Sequence, residues 1–189
     1  VIFDTRDNPG GQHHPDRQND PSQEQVEQST IHCSKPEHPP PTRAMNIVVI
    51  QDHLRSGGTE RQSILLARAF TAAGHPTTLV NFRPGGALEP STGDLRREIL
   101  QPCDTRLDWF APGLVRTVGA LAPDVILCMG RMVNCHGARL ASRIPQATVV
   151  ATLRTGKPLP WLYRRTLRRA AHVVANSHET RTTLLTRYG

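Results

Sequence analysis

Three residues near the start of the longest ordered-looking stretch have the types and spacing to hold a ligand: Gly57, Gly58 and Thr59. They follow the run Ile47-Val48-Val49-Ile50, continuously apolar and β-branched, as a strand covered on both faces requires. The paired glycines permit backbone geometry and a close approach that a Cβ forbids. Thr59 is expected to cap a following helix, with Gln62 three residues on completing a capping box. Unpaired N–H groups at the positive end of that helix would then face an anion or a sugar hydroxyl.

Further candidates lie downstream in two loops expected after apolar strands. The first, Gly130-Arg131-Met132-Val133-Asn134, offers Arg131 and Asn134. The second, Arg154-Thr155-Gly156-Lys157-Pro158, offers Arg154 and Lys157. A guanidinium forks onto phosphate or carboxylate. Solvated surface charge is the alternative reading for each cation. Asp52 stands close to the glycines, but a single loop acid is more often a cap or turn residue. No carboxylate in residues 45–189 suggests a nucleophile. His75 belongs to a helix-ending turn and reads as structural. Cys128, Cys135 and His136 match no zinc-ligand spacing, so no metal is expected.

The elements that position these groups follow from periodicity. The pattern predicts a helix over about 59–73, with Leu65, Leu66, Ala69, Phe70, Ala72 and Ala73 as its apolar stripe. Gly74-His75-Pro76 ends it. Strands are expected at 77–82, 103–107, 125–129, 147–153 and 171–175. Helices are expected at 112–121, from the 130–134 loop to 143, at 159–169 and at 178–187. The segment before Glu98 reads as irregular. Alternating strands and helices, several strands apolar throughout, define an α/β, Rossmann-like, doubly wound parallel sheet. On such sheets ligands bind at the carboxyl ends of the strands, where all the candidate loops fall.

Composition sets further bounds. Residues 1–44 hold seven of the sixteen prolines and carry four basic against seven acidic side chains. With almost no large apolar residues they cannot offset the entropy of ordering, and are expected to be a disordered tail. They contain no apolar core of a signal peptide. Met45 directly precedes the first strand, so a mis-started upstream segment is a second reading of 1–44. Residues 45–189 carry nineteen basic and nine acidic side chains, which favours an anionic partner. Aromatic residues are few and no basic stripe is interleaved with them, so no nucleic-acid partner is expected. Four cysteines without a disulfide pattern fit a cytoplasmic location. No apolar run approaches the ~20 residues of a membrane span. Arg164, Arg165, Arg168 and Arg169 share one expected helix whose inward residues would be Leu159, Leu162, Thr166, Leu167 and Ala170. With Trp161 they suit peripheral contact with an anionic membrane at its inner face, a solvated basic face being the alternative.

No G-x-G-x-x-G, G-x-x-x-x-G-K-[ST] or G-x-S-x-G motif is present, which argues against the common dinucleotide, P-loop and hydrolase readings. A different combination is present. It joins Ser56-Gly57-Gly58-Thr59-Glu60-Arg61, the strand Thr77-Thr78-Leu79-Val80, Pro123-Asp124-Val125-Ile126, Ala171-His172-Val173-Val174-Ala175-Asn176-Ser177 and Tyr188-Gly189. Across 45–189 it resembles the N-terminal half of GT-B glycosyltransferases of retaining family four. The Gly130-Arg131-Met132 loop looks most like the members that act on lipopolysaccharide cores.

The resemblance implies an acceptor-binding lobe whose glycine loop faces the phosphates of a nucleotide-sugar donor across a cleft. It implies hexose transfer to a glycan or lipid-linked acceptor, usually without a metal or other cofactor. A histidine that the family often presents after its fourth strand is replaced here by Gly130-Arg131, so that role does not transfer. The family's donor-binding domain has no counterpart in these residues, and the chain alone is expected to be inactive. Three readings follow: a fragment of a transferase, the acceptor subunit of a split transferase completed by a separate donor-domain chain, or a non-catalytic Rossmann-like binding module.

Overall fold

The computed structural model describes residues 2–4, 43–154 and 157–188. Six parallel strands form the sheet: β2 (Ile47–Gln51), β3 (Thr77–Asn81), β4 (Arg96–Ile99), β5 (Val125–Cys128), β6 (Thr148–Leu153) and β7 (His172–Ala175). A short strand β1 (Ile2–Asp4) adds an antiparallel edge, giving the order β1-β7-β6-β5-β2-β3-β4. These three residues pair with the open edge of β7. Residues 5–42 lie outside those described.

The helices are α1 (Gly58–Ala72), α2 (Leu114–Ala120), α3 (Arg131–Arg143), α4 (Trp161–Arg169) and α5 (His178–Arg187). The chain reverses direction across β2 and β5, the central strands, so the order defines a doubly wound α/β sheet of Rossmann type. Alternation along β2 divides the core. Val48 and Ile50 pack with Phe82, Val118, Val133 and Leu140 beneath α2 and α3. Ile47 and Val49 pack with Ile64, Ala67 and Leu79 beneath α1. A third cluster, Ala151, Leu153, Tyr163, Leu167 and Val173, seats α4 on β6 and β7. The packing of α3 on α4 is close enough to require Gly137, because a Cβ there would overlap the Thr166 side chain.

Several elements differ from the sequence expectation. The third strand lies at Arg96–Ile99 rather than at 103–107. It is the sheet's outer parallel strand and is only partly covered on either face, so it admits Arg96, Arg97 and Glu98 and hides the apolar signal. Residues 103–107 are instead a loop, held by Gln101, whose amide Nε2 donates to the carbonyls of Leu107 and Phe110 at 2.9 and 2.6 Å. The buried stripe of α1 is Glu60, Ser63, Ile64 and Ala67, while Leu65 is 61% exposed. On α4, Tyr163 faces inward and Leu162 is exposed. Helix α3 starts at Arg131, so 131–134 are its first turn and not a loop.

Candidate functional site

The carboxyl ends of the parallel strands carry buried polar side chains: Gln51, Asp52 and His53 at the end of β2, Asn81 and Arg83 at the end of β3, and Thr152 near the end of β6. Apolar strands ending in such groups mark the edge at which a doubly wound fold meets its ligands.

At the centre is the turn from β2 into α1. Gly57 is the N-cap of α1, in extended conformation at φ −77°, and no side chain caps the helix. Thr59 is inside the first turn, so the expected capping box does not form; Gln62 turns elsewhere. The two glycines have different surroundings. A Cβ at Gly57 would overlap the Glu60 carboxylate, whereas nothing lies within 4 Å of the place a Cβ would take at Gly58. The open approach to the N-terminus of α1 is therefore over Gly58. Glu60, buried in the same first turn, sets its negative charge against the positive end of the helix.

Arg154, directly after β6, reaches this helix. Its Nη1 donates to Gln62 Oε1 at 2.5 Å, one turn along from Gly58. The side chain is half-buried, its Nε has no hydrogen-bond partner, and no carboxylate among the described residues pairs with it. Burial lowers its pKa, as it must for a cation removed from water without a counter-ion. Arg154 and the Gly57–Gly58 turn thus come together at one edge.

The other candidates separate. Arg131 is exposed and its Nη2 donates to the carbonyl of Pro158 at 3.2 Å, bridging the start of α3 to the segment before α4. Lys157 is exposed, and residues 155 and 156 between it and Arg154 lie outside those described. Asn134 is no binding group. It is fully buried, its Nδ2 donates to the carbonyls of Cys128 and Gly130, and its Oδ1 accepts from Thr152 N at 3.2 Å. Its amide locks β5, α3 and β6 together, and its assignment as a ligand contact is corrected on that ground. Asp52 is the cap that a loop acid was expected to be. Its carboxylate accepts from Met132 N at 3.1 Å and Val133 N at 2.8 Å, closing the N-terminus of α3. A Cβ on Gly130 would overlap that carboxylate. Burial pushes the Asp52 pKa up to about 6, against the lowering by those two N–H groups. His75 is structural as expected, its Nδ1 accepting from Met45 N.

The structure adds a cluster that composition did not reveal. Arg83, almost wholly buried, donates to both oxygens of Asp104 at 2.7 and 3.0 Å and to Asp108 at 2.6 Å; Arg55 holds the other Asp108 oxygen. This network fastens the loop after β4 to the sheet edge. Gly86, at φ +109° and packed so tightly on the Leu54 carbonyl that a Cβ would overlap it, closes the neighbouring turn. His53 Nδ1 and both amide atoms of Asn81 are buried there without hydrogen-bond partners. The available signal was the switch from apolar to polar at the strand ends, Ile50 to Gln51 and Val80 to Asn81. Pairing of Arg83 with aspartates twenty-odd residues away left no local pattern.

With this geometry in place, the chain can be set beside known proteins. The model of Glycosyltransferase Family 4 matches residues 56–189, and the chain belongs to that family. Its fold is that of the N-terminal lobe of GT-B glycosyltransferases. It is similar to HepE of Anabaena, solved in complex with UDP and glucose, with TM-score 0.57 and 19% identity over 75% of this chain and 40% of that one. It is also similar to a glycosyltransferase from Rickettsia africae, with TM-score 0.54 and 18% identity over 77% of this chain and 40% of that one. The chain thus spans about 40% of the length of these structures. No curated protein sequence matches it.

Proposed function

We propose that residues 45–189 are the acceptor-binding lobe of a retaining transferase that moves a hexose from a nucleotide-sugar to a glycan or lipid-linked acceptor. The observation that carries this reading is Arg154, a half-buried cation without a carboxylate partner among the described residues, joined through Gln62 to the helix whose open N-terminus lies under Gly58. A charge removed from water needs a partner, and a phosphate or carboxylate would supply it at both groups at once. The acceptor is therefore taken to be an anionic sugar or sugar phosphate. Arg131 and Lys157 border the same edge and would contact its outer part. HepE was solved with UDP and glucose; here the nucleotide-sugar is assigned to a second lobe facing this edge, in the same or a separate chain. Leaving-group stabilisation needs positive groups preorganised around the donor phosphates, so the 189 residues alone are expected to bind acceptor without transferring sugar.

Isothermal titration of the chain with glucose 6-phosphate, glucose and UDP-glucose tests this reading. The sugar phosphate is expected to bind more tightly than glucose, and Arg154→Gln to weaken it about tenfold, the worth of one charge-assisted contact. Tight binding of UDP-glucose by this chain alone would overturn the assignment to the acceptor side. Failure of every sugar to bind would favour a binding module without transferase function.

A further inference from the structure

Leu107 to Phe110 form a tight turn in the loop after β4, closed by a hydrogen bond from Phe110 N to the Leu107 carbonyl at 3.2 Å. Polar groups fasten every residue of this turn. Gln101 Nε2 donates to the carbonyls of Leu107 and Phe110, Arg83 and Arg55 hold the Asp108 carboxylate, and His136 Nε2 donates to the Trp109 carbonyl at 3.2 Å. Just before the turn, Arg106 is kept at φ +60°, a left-handed conformation that is costly for a residue with a Cβ and persists only where its surroundings impose it. The fastening fixes the backbone and leaves the apolar side chains outside. Trp109 is 59% exposed, Leu107 42% and Phe110 38%, and none of them joins the three core clusters. The Trp109 and Phe110 rings meet edge to face, with their centroids 6.2 Å apart.

A turn held this firmly, with two aromatic rings displayed to water, is built to meet something. Its surroundings restrict the chemistry of the ligand. The turn stands at the carboxyl edge of the sheet, because Asp108 pairs with Arg55, three residues before Gly58. The four charges of the fastening, Arg55, Arg83, Asp104 and Asp108, cancel, so this network favours a neutral ligand over an ionic one. The exposed apolar area is on the order of 300 Å², against about 800 Å² per partner in a stable protein interface. An indole face flanked by hydrogen-bonding groups suits a pyranose. The C–H bonds on one side of the sugar ring lie against the aromatic face, and the hydroxyls around its rim turn to polar neighbours. We propose that Trp109 and Phe110 form a stacking platform for an uncharged sugar ring. On the acceptor reading above, on which this platform rests, the acceptor carries that neutral ring as well as the anionic group that Arg154 would meet.

The chain has two tryptophans, Trp109 and Trp161, so Trp161→Phe leaves Trp109 as the only indole. That variant is titrated with uncharged trisaccharides of glucose, of galactose and of mannose, and separately with uridine and with phosphatidylcholine vesicles. At least one trisaccharide is expected to change Trp109 emission saturably, with no response to uridine or vesicles. In calorimetry, Trp109→Ala should lose about tenfold in affinity for that trisaccharide, with an unchanged circular dichroism spectrum, and Trp109→Tyr should keep most of it. Both variants should bind glucose 6-phosphate as the wild type does, and Arg154→Gln should show the reverse pattern. A trisaccharide response without any binding of glucose 6-phosphate would support the platform and strike only the anionic part of the acceptor. Trp109 emission that responds to none of the trisaccharides, or to uridine or vesicles in their place, would overturn the proposal. So would trisaccharide binding that Trp109→Ala leaves unchanged.

Discussion

Arg83 and Arg154 occupy comparable places, each just beyond the carboxyl end of a parallel strand, yet their surroundings are opposite. Arg83 donates three hydrogen bonds to two aspartates, and those bonds raise its pKa well above the ordinary arginine value. The same contacts hold Asp104 down at about 2. Among the described residues Arg154 meets a neutral amide and no carboxylate, and burial lowers its pKa. The difference extends to the halves they belong to. The β2–β4 side carries as many acidic as basic side chains, whereas residues 125–178, which form the β5–β7 side, carry basic side chains and no acidic one. An arginine whose donors are already taken by carboxylates is a structural fastening, and the one left with an amide is the proposed binding group.

Asp52 joins the halves, since it leaves β2 and caps α3, and its removal should produce the largest effect. Asp52→Ala leaves two N–H groups without their acceptor and opens a space beside Gly130. We expect a loss of about 3 kcal/mol in urea or thermal unfolding. The pH dependence has a definite sign. The folded state holds the Asp52 proton up to about pH 6, against an ordinary value of 3.8. Its stabilising contribution is therefore complete below about pH 4 and is lost as pH rises through about 6. The stability of the wild type relative to Asp52→Asn should fall by about 3 kcal/mol across that window. A flat difference would mean that the carboxylate is well enough solvated to ionise normally.

Arg83→Met comes next. It leaves Asp104 and Asp108 without their main counter-ion, and the loop after β4 loses its hold on the sheet edge. We expect a loss of about 2 kcal/mol, less than for a fully enclosed pair because the two aspartates are partly exposed. Limited proteolysis should cut between residues 101 and 113 more readily in this variant. If Arg83→Met were as stable as the wild type, the fastening role would be refuted.

Much of this was legible in the sequence, and the exceptions have physical causes. The central strands β2, β5 and β6 announced themselves because burial on both faces demands continuous β-branched residues. The outer strand β4 did not, since it is only partly buried and carries arginines. The glycine turn was readable, its capping was not: Thr59 has the right chemistry but stands two positions past the N-cap, Gly57. Asn134 resembled a ligand contact because polar residues after an apolar strand often are. Only its packing against Thr152, eighteen residues away, shows it to be a fastening. Arg154 was legible as a cation at the correct edge. Its lack of a carboxylate could be found only by seeing which aspartates the other arginines had taken.

The two glycines sharpen the comparison with a smaller effect. Gly58→Ala adds a methyl group where nothing lies within 4 Å, inside the first turn of a helix. Stability should rise by about 0.5 to 1 kcal/mol, as alanine replaces glycine in a helix. Gly57→Ala must displace the Glu60 carboxylate and should destabilise. If Gly58 is the open floor of the acceptor site, its alanine variant becomes a more stable protein that binds glucose 6-phosphate less well. Gain of stability with unchanged binding would move the ligand away from this turn.

Arg154→Met should alter stability least of all, and that near-silence is the informative result. The arginine's single strong contact is a hydrogen bond to Gln62, which stands on an exposed part of α1 and can turn to water when the partner is lost. Against that small loss stands the relief of a half-buried charge that no carboxylate among the described residues compensates, so the net change in unfolding free energy should lie within about 0.5 kcal/mol of zero. A purely structural arginine, such as Arg83, cannot be replaced so cheaply. Binding of the sugar phosphate, measured on the same variant, should fall by about tenfold, because the guanidinium then meets its intended anion only in the complex. A large loss of stability with binding intact would place Arg154 in the same class as Arg83 and remove the basis for distinguishing the two halves of the sheet edge.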